Sequence, residues 1–192
     1  NSNTFHAYLV DSTGVSSTPV SSDVGLTLTG SNNGEIGYLK ASPDGSKLAM
    51  AFLGIENAQL YSFDNSSGAL SNALTLDPSG NQHYGIEFSP DGSKLYVGCS
   101  TVSAEIIQYD LLAGSGTDIV GSATVIGNAS GPTGALQVGP DGKIYVAPVG
   151  ETSLDVIAAP NEAGVASNLQ AAAVSLGAGM AMQGLPTFAQ SF

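Results

Sequence analysis

The chain has 192 residues, enough to bury a sizeable core, with 4 basic residues, all lysine, against 16 acidic ones and a formal net charge of −12. That balance excludes nucleic acid and anionic membrane surfaces as partners, because phosphate neutralisation needs clustered Lys and Arg. Only 10% of residues are charged, so the polar surface must be built from Ser, Thr, Asn and Gly, and no apolar run approaches the roughly 18 residues that insert into a bilayer.

In chain order, FHAYLVDSTGV (5–15) matches the third strand of a unit that recurs later, and VGLTL (24–28) matches its fourth. The first complete unit opens on YLKASPDGSKLAMAF from Tyr38, with a third strand at 58–64, an NSSG turn and a fourth strand at 73–76. The second opens on GIEFSPDGSKLYVGC from Gly85, with strands at 104–110 and 123–127 about an AGSG turn. The third opens on ALQVGPDGKIYVAPV from Ala135, with strands at 153–159 and 169–176, and GLPTFAQ (184–190) reads as the first strand of a further unit.

The prolines Pro43, Pro90 and Pro140 stand 47 and 50 residues apart, a spacing typical of propellers, solenoids or arrays. Each unit is an alternating stretch, a Pro-Asp-Gly corner and an apolar run, which reads as a hairpin. Proline presets φ, aspartate bonds nearby amides and glycine takes the positive φ. Four short strands per unit without a helical period is one blade of a β-propeller. The fold class is therefore all-β, a partial propeller of about three and a half four-stranded antiparallel blades. Its divisions fall at 1–30 (end of a blade), 31–80, 81–130 and 131–176 (blades), and 177–192 (first strand of the next). A chain that begins and ends within blades is expected to be a piece, with open flanks near 1–30 and 177–192 packing against another chain or the missing half.

With these stretches in place the chain resembles propeller modules of very large secreted or surface proteins of gliding bacteria. The resemblance rests on FHAYLVDSTGV, GYLKASPDGSKLA, YSFDNSSGALSNALTL, YGIEFSPDGSKLYV and LDVIAAPNEAG…AAAVSLG…GLPTFAQSF, in the family's order and over most of the chain. SPDGSKLYV alone is shared by many propellers; GLPTFAQSF after VSLG is more specific. The resemblance implies the C-terminal half of a propeller of about seven blades, an extracellular or cell-surface location, and no catalytic residues to carry over. The chain departs from the family in lacking the N-terminal blades, the downstream Ig-like or PKD-like domains and the sorting domain.

Lys40, Glu87 and Gln137 each stand three residues before their proline in the innermost strand. They either line the central channel as a polar ring or hydrogen-bond blade to blade. Asn81, Gln82, His83 and Tyr84 form the loop entering an inner strand, a candidate binding loop with His83 exposed to solvent. His6 is the only other histidine, and no metal-ligand spacing accompanies either. Asp44, Asp91 and Asp141 are explained by their turns, and Asp64 and Asp110 end third strands. DNSSG (64–68) is the nearest approach to a calcium loop but lacks its alternating carboxylates. Cys99, inside an apolar run, reads as a buried structural residue. The sequons at Asn65 and Asn128 fall in expected turns.

No nucleophile elbow, P-loop or dinucleotide fingerprint is present. Lactonase propellers share the repeat but are expected to hold an anionic substrate with Arg, His and Glu. The expected function is thus a non-catalytic extracellular binding or assembly module acting through the propeller faces, without cofactor or metal. Its expected partner is a protein chain, the missing propeller half or a glycan. The alternative is part of a lactonase-like or lyase-like enzyme whose channel is completed by missing blades.

Overall fold

The computed structural model describes residues 2–28, 36–55, 57–76, 82–101 and 103–186. Three four-stranded antiparallel sheets follow one another along the chain. The first is β5 (Leu39–Ala41), β6 (Lys47–Phe52), β7 (Asn57–Asp64) and β8 (Ala69–Thr75). The second is β9 (His83–Phe88), β10 (Lys94–Cys99), β11 (Glu105–Asp110) and β12 (Thr124–Asn128), and the third is β13 (Thr133–Val138), β14 (Ile144–Pro148), β15 (Ser153–Ile157) and β16 (Leu169–Ser175). Before them β1 (Ser2–Ala7) pairs with β4 (Val20–Leu28), and β2 (Val10–Asp11) with β3 (Gly14–Val15) forms a small hairpin between them. Each four-stranded sheet runs in sequence order, which is the up-and-down blade of a β-propeller.

The corners form as their residues dictate. In the first blade Asp44 accepts from the Ser42 hydroxyl and the Ser46 amide, and Lys47 N–H donates back to Ser42 Oγ. Ser89, Asp91, Ser93 and Lys94 repeat this set in the second blade. Gly45, Gly92 and Gly142 take φ of 66°, 71° and 75° to close the turns. The third corner has Gly139 in place of serine, since a Cβ there would lie 2.5 Å from the Tyr145 ring.

The core lies between blades. Leu95, Val97 and Cys99 of β10 join Ala49, Leu60 and Leu76 of the first blade in one buried cluster. Tyr96, on the opposite face of the same strand, joins Leu136, Ile144 and Val146 of the third blade in another. This is period-two alternation with both faces covered, and every residue of β10 is buried. The inner strand β9 lies against β13, with β5 and β6 against β9, while β4 packs on β8. Gly85 makes this approach possible: a Cβ on it would sit 2.2 Å from the Gly134 carbonyl oxygen.

Several expectations are corrected. The AGSG stretch is not a tight turn: it leads into a short helix, α1 (Gly116–Gly121), closed by a capping box in which Ser115 and Asp118 satisfy each other's amides. The first blade's fourth strand begins at Ala69, four residues earlier than expected. FHAYLVDSTGV is a strand only to Ala7, after which the chain turns into the hairpin. Of GLPTFAQ, residues 184–186 are not in a strand and the remainder lies outside the described residues. Even so, Gln183 C=O accepts from Ala135 N–H as Tyr84 C=O accepts from Tyr38 N–H, so the chain crosses to a further inner-strand position.

Candidate functional site

The three inner-strand polar side chains converge. Lys40 Nζ donates to Glu87 Oε2 at 2.9 Å and to Gln137 Oε1 at 2.7 Å, so one ammonium ties the first blade to the second and the third. Glu87 is 1% exposed; its Oε2 also accepts from Val138 N–H and its Oε1 from Phe88 N–H. Burial pushes the Glu87 carboxyl above the usual carboxylate range, and the Lys40 charge and these hydrogen bonds reverse this only in part. Lys40 Nζ also lies 5.4 Å from the centre of the Tyr38 ring, which packs edge-on to Tyr84. The cluster is a blade-to-blade network whose acceptors are already occupied.

The loop candidates divide. Asn81 lies outside the described residues and Gln82 is exposed. His83 is not an exposed loop histidine: it is the first residue of β9, 0% exposed, with Nδ1 3.8 Å from the Cys99 sulfur. Tyr84 is likewise a strand residue, half-buried against Tyr38. The strand begins two residues further upstream than expected, at His83 instead of Gly85, which takes the imidazole inside. Cys99 is buried.

Two polar anchors were missed in the sequence. Asp155 is 0% exposed and holds three donors: Ser130 N–H and hydroxyl at 2.7 and 2.6 Å, and Ala172 N–H at 2.7 Å. Gln108 donates to Tyr96 Oη and the Glu162 carbonyl and accepts from Gly164 N–H, while Tyr96 O–H donates to the Pro160 carbonyl. Their signal was a polar residue inside an apolar third strand, LeuAspVal or IleGlnTyr.

Asp44, Asp64 and Asp91 use their oxygens within turns. Serine donors hold Asp44 and Asp64 down to about 2, with Ser42 leading at Asp44 and Ser66 at Asp64. Asp64 thus uses its oxygens on Ser66 and Ser67. Among the described residues no group of three or more His, Cys, Asp or Glu could hold a metal ion. Asn65 is exposed in its turn; Asn128 instead ends β12, with its side-chain amide donating to the Ser103 carbonyl.

No protein-family model matches the chain, and no curated protein matches it. Its structure is similar to that of a candidate 6-phosphogluconolactonase from Bacteroides uniformis, at TM-score 0.54 and 17% identity over 81% of this chain and 44% of that one. It is similar also to a protein from Lactobacillus plantarum, at TM-score 0.55 and 17% identity over 80% of this chain and 44% of that one. The chain spans less than half the length of these neighbours, and the likeness is one of fold, the β-propeller.

Proposed function

We propose that the chain is a non-catalytic binding or assembly module that works through its outer faces and flanks, in the manner of the surface propellers of gliding bacteria it resembles. The observation that carries this reading is the Lys40–Glu87–Gln137 network, in which the inner-strand Lys40 and Glu87 are used up on each other and on Gln137. A site for chemistry would instead aim unpaired groups into a pocket. Exposed apolar residues lie elsewhere, at Tyr8, Leu9, Val10 and Val15 around the β2–β3 hairpin, where a protein or glycan partner has surface to cover. The location proposed with this function is extracellular or cell-surface.

A second reading, part of a lactonase-like enzyme, draws on the likeness to the B. uniformis protein. Against it stand the absence of arginine from the sequence and the burial of His83. The two separate in one assay with 6-phosphogluconolactone, run on the chain joined to the rest of its propeller so that the channel of the second reading is complete. No hydrolysis above the spontaneous rate is expected, whereas turnover that disappears in Glu87→Gln would reverse the assignment. The flanks are tested by light scattering: association with itself or with the rest of a propeller is expected, and a chain that stays monomeric and binds neither argues against assembly.

A further inference from the structure

The four lysines are unevenly partnered among the described residues. Lys40 pairs with Glu87 at 2.9 Å, Lys94 with Asp110 at 3.2 Å and Lys143 with Asp141 at 3.0 Å. Lys47 makes no ion pair there: its Nζ donates to Ser46 Oγ at 3.4 Å, and its charge reaches Asp44 only through space. The cause is one residue. Lys47 and Lys94 both stand four places after their proline, and each faces the third strand of its blade, Lys94 opposite Asp110 but Lys47 opposite Ser62.

Where the carboxylate is missing, a cavity opens. About 330 Å³ in volume, it runs between the outer strands of the first blade and α1 of the second. The β7–β8 ladder slips between Leu60 and Ser62, so that Tyr61 faces a bulge at Asn72, whose φ is 52°. Helix α1 lies across the gap, with Gly116 and Ile119 among the wall residues. The walls are apolar at Leu60, Leu74 and Ile119 and polar at Ser62 and Asn72, and the described residues lining the cavity include one cation, Lys47, and no carboxylate.

We propose that this cavity binds a small amphipathic monocarboxylate. The ligand carboxylate pairs with Lys47 Nζ beside the Ser62 hydroxyl and Asn72 amide, and its apolar body covers Leu60, Leu74 and Ile119. A single ammonium suits a single negative charge; a dianionic phosphate would bring a second charge with no cation to meet it, into a chain of net charge −12. The volume is at the small end of ligand pockets, which favours a compact acid over a long chain. The site is independent of the assembly role and of the inner-strand network.

The probe is 3-phenylpropionate, titrated calorimetrically into the 192-residue chain alongside 3-phenylpropionamide, which keeps the shape and loses the charge. The acid should bind about tenfold tighter than the amide, the effect of one partly desolvated ion pair. Lys47→Gln should erase that preference and Lys47→Arg keep most of it, with Lys143→Gln, remote from the cavity, behaving as wild type. Gly116→Leu should abolish binding of both compounds, because even a Cβ at that position comes 3.1 Å from Leu74 Cδ1. Equal affinity of acid and amide for the wild type, no saturable binding of the acid, an intact preference in Lys47→Gln, or undiminished binding in Gly116→Leu would each overturn the proposal.

Discussion

Asp155 shows how much one buried carboxylate can organise. Its oxygens satisfy two backbone amides and a hydroxyl from segments on either side of β15, and among the described residues it makes no ion pair. Asp155→Ala should cost about 3 kcal/mol or more, because three donors lose their acceptor inside the fold. Asp155→Asn, which keeps one acceptor oxygen, should cost less, and urea midpoints of the two variants check the order. The turn aspartates and Glu87 set opposite pH dependences. Asp44 and Asp64 fall from 3.8 to about 2 on folding, so their contribution is full above the unfolded value and is lost as pH falls towards about 2. Glu87 is raised above 4.5, so the folded chain holds its proton more tightly and that contribution fades as pH rises from 4.5 through the folded value. Glu87→Gln should therefore flatten the loss of stability above pH 4.5 while leaving the acid limb unchanged, read from urea midpoints across the acid range to neutrality. The turn roles of the aspartates were legible because serine, proline and glycine flank them in sequence. The burial of His83 was not, because it depends on where β9 starts relative to the neighbouring blade.

At the scale of elements, the second strands behave as their composition predicts and the fourth strands do not. Every fourth strand carries a positive-φ residue where its ladder slips: Gly25 in β4, Asn72 in β8, Gly127 in β12 and Ala172 in β16. The bulges bend the outer strands, and the one at Asn72 helps open the Lys47 cavity. Glycine and asparagine tolerate that conformation; alanine does so at a cost. Ala172→Gly should raise stability by about 0.5–1 kcal/mol, the relief of left-handed strain less the entropy that glycine adds to the unfolded chain. A rise in melting temperature of about 2 °C checks it, and no rise, or a fall, would show that Ala172 is not strained. Helix α1 escaped a reading based on turn chemistry because six residues are too few to show a helical period, although Ser115 followed three residues later by Asp118 is a capping signature. What stabilises it is tertiary: Ile119 is buried in the cluster between the first two blades.

Across the whole molecule, blades cohere through apolar clusters and, near their convergence, through one ion network. Lys40→Met should cost about 3–5 kcal/mol, since it leaves Glu87 buried without its counter-charge. Adding Glu87→Leu should recover much of that loss, because a neutral pair of similar volume leaves no stranded charge. Denaturant midpoints of the two single variants and the double test the coupling, and additive losses would show that the network does not act as a unit.

Repetition is what the sequence determined alone: Pro-Asp-Gly corners at near-equal intervals, each followed by an apolar strand, require hairpins whose faces are buried by neighbouring copies. Only the tertiary structure decided what the polar positions do. Lys40, Glu87 and Gln137 are far apart in the chain and meet because inner strands of three blades converge, and Lys47 differs from Lys94 through the residue facing it across the sheet. Period and turn chemistry are local properties of a chain, whereas a charge is paired or left open by residues that packing alone brings within reach.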